Sequence, residues 1–521
     1  MQGRKEFTPK MMYQLNLEDL VPEDNFYRKL DAALDLHFLY KATEQYYGDE
    51  GQESIDPVVF FKICLVGYLN NLGSDRRLIE FCSNQLDVRL YIRYDLDEAL
   101  PWHSTISRTR QLYGYELFLE LFRKVLSLCV QQGMVRGKRQ VVDSVFIKAN
   151  ASMDSLEEKE VIEDAEVYLG ELNEGTEFKV SKSKKAEVER HHAWQTEAYK
   201  EQPSNKNTKQ LDAEGSQIRP KYLSNHTHYS PTDPDARISV KPGKARQLNY
   251  FGQIAVDDSH HVITGAMADH ADQRDSQCLP AILSQTSDNL LDQEIQLDQI
   301  AADTGFSSGS ALRYCEEHGI DAYIPNFGKY KPFREGFEYN KELDQYECTR
   351  GNKAVLPFRR HRVEKDGREM KIYWSDSSKC KMCPLRKECI GKGNSKKLDD
   401  TIDKPYYDRM HIKMQTLYAK KISKIRSRTV EPVLGTLINF LNMKRVNTRG
   451  LDLATKHVLL SATCYNLKKY MKFKRNKDVA KKSALPLGQE LGLCRSIMSF
   501  WNELRLDFHI LHCMVSNIGP C

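Results

Sequence analysis

The sequence predicts a mixed α/β protein with an all-α N-terminal domain, a core built on a mixed sheet, and a small cysteine-rich insertion late in that core. Three observations predict it. Apolar residues at helical spacing, among them Leu117, Leu121 and Val125, mark residues 1–135 and stop at Gly133. The middle of the chain alternates short β-branched runs with helix-like segments, the order of a sheet with crossover connections. Between residues 336 and 400 cysteines bunch at short spacing.

With 521 residues, 40% of them hydrophobic, the chain is long enough for two to four folding units at roughly 100–200 residues each, which excludes a disordered scaffold. Its start, MQGRKEFTPK, lacks the layout of a secretion signal, so a cytoplasmic protein is expected. The apolar run Val58 to Leu69 is interrupted by Lys62 and Gly67 and is too short to span a bilayer, so a buried helix is expected there and no membrane partner. Thirteen scattered cysteines argue for thiols or metal ligands over disulfides.

Taken in order, Trp102 to Arg110 opens with Ser/Thr cap candidates and leads to Arg108 and Arg110, as a recognition helix does and as many ordinary helices do. Gln140 to Ala149 is a β-branched run that holds one acid, Asp143, among apolar neighbours and reads as a mostly buried strand. Residues 152–247 turn polar and charged and read as an insertion, partly disordered when alone. Leu248 to Val256 and Val262 to Ala268, broken by Asp257-Asp258-Ser259-His260, form a hairpin. A helix near Ser276 to Leu290, a strand running into Asp303-Thr304-Gly305, a helix over Ser307 to Glu317 and a strand at Ala322 to Ile324 imply parallel pairing.

The formal net charge is only +5, yet from Arg409 to Lys477 seventeen Lys and Arg face Glu431 and Asp452 alone, a local +15 against −10 for the remainder. Such a stretch is the footprint of a polyanion binder, with a solvated helix surface as the plainer alternative. No Gly-rich phosphate loop of the P-loop kind is present, so no nucleotide cofactor is implied.

A strand with Asp143, a hairpin, a helix, a strand ending in Asp303, a helix, a strand, and a later basic region holding Glu431 together look like an RNase H-like nucleotidyl-transferase core. More specifically, the chain resembles the DDE transposases of bacterial insertion sequences. The resemblance rests on Val142-Asp143-Ser144, Ala302-Asp303-Thr304-Gly305, Arg428 to Gly435 around Glu431, Arg449-Gly450-Leu451 and Tyr465-Asn466-Leu467-Lys468-Lys469, within residues 5–475. It implies Asp143, Asp303 and Glu431 as catalytic ligands of two Mg²⁺ (or Mn²⁺) ions, since carboxylates supply the hard oxygens that such ions need for in-line attack on a phosphodiester. From the residues alone, Asp303 is equally placed to cap the following helix, Glu431 to be a solvated helix residue, and Asp257, Asp258, Asp269 and Asp272 are rival acids. On an unbroken helix Lys424, Arg428 and Asn442 fall within about 60° of Glu431, although Pro432 invites a restart or kink there. Related transposases carry an arginine four residues before the glutamate and a lysine seven after it. Here Ser427 and Ile438 stand at those places.

The expected organisation is then a helical domain over 1–135 that binds DNA ends, the first part of the core over 136–335, the cysteine insertion over 336–400, the basic helical end of the core over 401–477, and a C-terminal helical tail over 478–521. Arg108, Arg110, Lys424, Arg428, Lys444, Arg445 and Arg449 are the expected DNA-binding residues. Cys380, Cys383 and Cys389 form a C-x2-C-x5-C array with Cys348 upstream, a candidate structural Zn²⁺ set against the alternative of free loop thiols. His191-His192, His226, His228 and His260-His261 lack ligand spacing and are expected to face solvent. The function implied is a metal-dependent transposase acting on double-stranded transposon ends and target DNA as a homodimer or larger assembly. The competing readings are a catalytically inactive, transposase-derived DNA-binding protein or repressor, and a nuclease on the same fold that cuts but never joins.

Overall fold

The structure is a computed structural model and describes residues 16–48, 54–158, 224–225, 227–239, 246–327, 330, 332–364 and 369–477. Most of the polar 152–247 segment and the whole of the 478–521 tail therefore lie outside the described residues.

Among the described residues eight α-helices come first: α1 (Leu17–Leu20), α2 (Phe26–Ala33), α3 (Phe38–Thr43), α4 (Pro57–Leu69), α5 (Asp75–Asn84), α6 (Leu86–Ile92), α7 (His103–Leu112) and α8 (Tyr115–Gln131). The apolar run expected to be a buried helix is α4. Asp56 caps it by accepting from the Val58 and Val59 amides, Pro57 starts it without needing a donor, and Phe60 to Leu69 are buried throughout. Its buried Lys62 is neutralised by Asp31 at 2.5 Å and donates to the Tyr91 carbonyl at 2.8 Å. No helix among the described residues is long and apolar enough to cross a membrane.

A six-stranded sheet follows, made of β1 (Arg139–Lys148), β4 (Arg237–Ser239), β5 (Gln247–Asp257), β6 (Ile263–His270), β7 (Gln299–Ala301) and β8 (Asp321–Tyr323), while β2 (Glu157–Glu158) and β3 (His228–Tyr229) pair separately. β5 runs antiparallel to β1 and carries β6 and β4 on its other edge. On its free side β1 pairs parallel with β7, and β7 parallel with β8. Each parallel step needs a crossover, and helices supply both: α9 (Asp275–Leu291) before β7 and α10 (Gly309–Glu317) before β8.

Residues 337–401 form a second sheet of five antiparallel strands in sequence order, β9 (Phe337–Asn340), β10 (Gln345–Cys348), β11 (Val355–Val363), β12 (Glu369–Trp374) and β13 (Lys397–Thr401), with α11 (Ser377–Lys381) and α12 (Arg386–Cys389) between the last two. Then come α13 (Lys404–Met414), α14 (Leu417–Phe440) and the last helix among the described residues, α15, over 451–477.

α14 packs on β1, β5, β7 and β8 through Ile422, Val430, Val433 and Leu437. It passes through Pro432 without a break, so the restart weighed at Glu431 does not occur. It does end at Phe440, which puts Asn442 beyond the helix and off the Glu431 face. There the Asn442 backbone amide donates to Asn71 Oδ1 at 2.8 Å and its side-chain Nδ2 donates to the Leu72 carbonyl at 3.1 Å.

α15 joins the two halves of the molecule. Asn466 accepts from the Ile263 amide and donates to its carbonyl, at 2.9 and 2.8 Å, and Lys468 donates to the Leu69 carbonyl at 2.9 Å. One hydrophobic core accordingly runs from Tyr27 to Tyr470. His457 on α15 is fully buried and within 2.7 Å of the Tyr68 hydroxyl. Burial, and then the Arg110 charge, lower its pKa from 6.5 to about 3. Between those values the unfolded chain binds a proton that the folded chain refuses. Stability is therefore expected to hold above about pH 6.5 and to fall as the pH drops toward 3, and denaturant titrations of His457→Gln should show a flatter decline over that window.

Candidate active site

Asp143 lies in β1 and Asp303 directly after β7. The parallel register sets Arg139 opposite Gln299 and Val141 opposite Ala301, and carried two residues further it sets Asp143, midway along β1, beside Asp303, just past the carboxyl end of β7. Asp143 accepts from the Ser144 amide at 2.8 Å and meets Arg426 Nη1 at 3.1 Å. Burial raises the Asp143 pKa above the usual carboxylate value and the Asp303 charge adds to the rise, while the Ser144 amide and Arg426 oppose it. Asp303 accepts from the Gly305 amide at 2.8 Å and so caps the short 3₁₀ turn Thr304–Phe306, whereas Ser308 caps α10.

Glu431 projects from α14 with its side chain 64% exposed, and its Oε1 stands 4.0 Å from Arg426 Nη2. One guanidinium thus faces an acid from the sheet and an acid from the helix laid across it. Arg426 was not among the expected site residues, because five residues separate it from Glu431 and that spacing does not put side chains on one helix face. A signal was present nonetheless. Ile422 and Val430, four residues to either side, are buried, so Arg426 is a cation on the stripe that faces the sheet.

Asp275, the first residue of α9, is a further carboxylate that sequence reasoning passed over. Ser144 Oγ hydrogen-bonds to its Oδ1. Gly305 is wedged between two acids: a Cβ there would stand 2.6 Å from Asp275 Oδ2 and 3.0 Å from Asp303 Oδ1. An acid in the first turn of a helix is common, and nothing in its spacing tied it to Ser144.

Among the described residues no three His, Cys, Asp or Glu side chains gather closely enough to hold a metal ion. Between Asp143 and Glu431 the space is taken by the Arg426 guanidinium. The donor set nevertheless suits Mg²⁺, since it is made of carboxylate oxygens at which a cation already resides. The rival acids have other partners. Asp257 lies toward the other end of β1, opposite Gln140, and accepts from the Gly137 amide and Gln140 Nε2. Asp258 pairs with Arg139, Asp272 with Arg237, and Asp269 stands beside Cys278.

Of the expected DNA-binding residues, Lys424 and Arg428 are exposed on α14, and Lys444, Arg445 and Arg449 on the segment after it. That segment is tied to the end of β1, where the Lys148 amide donates to the Lys444 carbonyl and the Val446 amide to the Lys148 carbonyl. Arg108 is exposed on α7. Arg110 requires correction: only 5% exposed, it points into the core and forms two hydrogen bonds with Asp75 at 2.9 and 3.0 Å, so it offers no charge to DNA. His228 also departs from expectation, being buried with its Nδ1 2.8 Å from Thr227 Oγ1, while His191, His192 and His226 lie outside the described residues. Cys348, Cys380, Cys383 and Cys389 line one small cavity beside the five-stranded sheet.

Residues 15–112 match the family described as Transposase domain (DUF772), and residues 347–471, which include Glu431, match the Transposase DDE domain. No curated protein matches the chain. Among solved structures, a piggyBac transposase synaptic complex with hairpin DNA aligns at 8% identity over 86% of this chain and 73% of that one. Its TM-score of 0.29 is too low to bear on the fold. A transposase domain over the first helices and a transposase DDE domain running from β10 into α15 together support a DDE transposase of insertion-sequence type.

Proposed function

We propose that the chain binds the terminal inverted repeats of its own insertion sequence, hydrolyses the strand ends and joins the freed 3′-hydroxyls to target DNA. One observation carries this reading: Asp143, midway along β1, and Asp303, just past the end of β7, stand side by side on neighbouring strands, and Glu431 reaches from α14 toward the guanidinium that Asp143 holds. An RNase H-like identity for the sheet is supported by its order, β6-β5-β1-β7-β8, in which three antiparallel strands continue through helical crossovers into two parallel ones.

Asp143, Asp303 and Glu431 would hold two Mg²⁺ (or Mn²⁺) ions, which when bound activate the attacking oxygen and stabilise the leaving one. Until DNA arrives, Arg426 offsets the repulsion between these acids, and Ser144 braces Asp275 beside the 303–305 turn. Lys424, Arg428, Lys444, Arg445 and Arg449 bind phosphates without reading sequence, and Arg108 on α7 contributes to recognising the ends, as the role proposed for the 1–135 region. Joining needs two ends together, so a homodimer or larger assembly forms on DNA. Replacing Lys424 or Arg428 by Ala is expected to weaken binding about equally for all duplexes and to lower the salt slope by about one each, as measured by fluorescence anisotropy across a salt series.

Binding without catalysis is the second reading, favoured by the exposure of Glu431 and by Arg426 lying between it and Asp143. The test uses duplexes taken from the flanks of the coding segment. With Mg²⁺ present, the first reading expects freed 3′-hydroxyl ends and joined product. Tight binding with neither, in Mg²⁺ or Mn²⁺, would leave the second, and cut ends alone would indicate a nuclease.

A further inference from the structure

The five-stranded sheet has little core of its own. Tyr346, Leu356, Ile372, Tyr373 and Leu398 are the buried apolar residues of its strands, with Phe337, Tyr339 and Phe358 packed at the margin of the Tyr346 cluster. The connection between β12 and β13 has less still. Across 375–396, all of it described, only Ser375 and Cys380 are buried. α11 and α12, of five and four residues, are too short to be stable alone. Units this poor in apolar burial usually need a covalent or metal staple.

Four thiols meet where that staple is wanted. Cys348 ends β10, Cys380 lies in α11, Cys383 just after it, and Cys389 ends α12, so two stretches of chain deliver them to one cavity. All four are free thiols. The turn after β10 is shaped around sulfur: the Gly351 amide donates to Cys348 Sγ at 3.4 Å, and a Cβ on Gly351 would stand 2.6 Å from Cys383 Sγ and 3.7 Å from Cys348 Sγ. Cys380 Sγ lies 3.0 Å from Ser375 Oγ. Lys379, Arg386 and Lys396 line the same cavity and no carboxylate does. Such cations favour thiolate over thiol, and they would offset the double negative charge left when a dication binds four thiolates.

We propose that Cys348, Cys380, Cys383 and Cys389 bind one zinc ion through all four sulfurs, and that this ion fastens 375–396 to the sheet. Four soft ligands with no oxygen donor select zinc over magnesium or calcium. The sulfurs are not gathered tightly enough to hold an ion as they stand, so Cys389, exposed on the four-residue α12, moves inward on binding. The inference does not depend on the strand-transfer chemistry.

The test uses the full chain, purified without chelator, with metal content measured by mass spectrometry. About one zinc per chain is expected, and the cobalt-exchanged protein should show sulfur-to-cobalt charge transfer with the intense visible bands of a tetrahedral site. Cys389→Ser and Cys383→Ser should each lose most of the zinc, whereas Cys278→Ser, in the main body, should retain it. Removing zinc with a chelator should speed proteolysis within 375–396 by roughly tenfold or more. Because Cys389 is exposed, its replacement should not prevent folding, which keeps the test informative if Cys383→Ser aggregates. Wild type without zinc and with four titratable thiols would overturn the proposal, as would a disulfide among them, or zinc retained by both variants.

Discussion

Asp143→Asn is expected to eliminate strand cleavage and joining, by about 10³-fold or more, while leaving DNA affinity within a factor of about two of wild type. Removing one ligand of a metal-assisted phosphodiester reaction forfeits several kcal/mol of transition-state stabilisation, and each 1.36 kcal/mol is tenfold in rate. The proposed phosphate contacts lie elsewhere, on exposed cations such as Lys424 and Arg428. A loss of activity through unfolding is distinguishable, because the fold works against the Asp143 charge. Burial and Asp303 together raise its pKa, so between the unfolded and folded values the native state holds more protons than the unfolded chain. Stability contributed by this group is thus lost as pH rises through that window, and the charged form is a net cost at neutral pH. Asp143→Asn should therefore unfold at an equal or higher urea concentration than wild type at pH 7, with the difference narrowing toward the ordinary carboxylate range. A variant that lost activity, affinity and stability together would indicate a structural role for Asp143.

The second large effect concerns stability. Arg110→Ala is expected to destabilise the fold by about 3–5 kcal/mol, because removing one partner of a buried ion pair strands the other. Asp75 would be left with a side chain only 17% exposed and no guanidinium. Lysine keeps the charge but not the planar fork that meets both carboxylate oxygens, so Arg110→Lys should recover only part of the loss. Urea unfolding measures both. Arg108→Ala, on the exposed side of α7, should leave the unfolding midpoint within error and lower affinity for DNA ends. Equal unfolding midpoints for Arg110→Ala and wild type would contradict the inward assignment.

The contrast between those two arginines shows where reading the sequence stops. Residues two apart on a helix point about 200° away from each other, so Arg108 and Arg110 could never share one DNA-facing surface. The strand elements were legible because local chemistry and tertiary demand agree. An acid inside a β-branched run marked β1, turn residues between two apolar runs marked the β5–β6 hairpin, and the alternation after it announced parallel pairing. Asp143 and Asp303 came out adjacent because register follows from those strands. The contacts made across elements were not legible. Arg426 meets Asp143 only because α14 lies on the sheet, and Asp275 meets Ser144 only because α9 starts beside the middle of β1. The five-stranded sheet was hidden for another reason: β11, Val355 to Val363, carries Pro357 and a run of charged residues that mask its alternation. Glu431 and Pro432 mark a place where local preference lost, since packing of Val430, Val433 and Leu437 keeps α14 continuous through the proline.

Asp143, Asp303 and Glu431 are proposed to act as one unit in joining DNA, which is tested by strand transfer with wild type, with Asp143→Asn, Asp303→Asn and Glu431→Gln, and with the three pairwise doubles. The substrate is flanking DNA from the coding segment, and binding is followed in parallel. Groups that act together are far from additive, so joined product is expected from wild type alone, with a common background for all six variants, each still bound to DNA. Joined product from Glu431→Gln, or doubles that fall well below the singles, would contradict it.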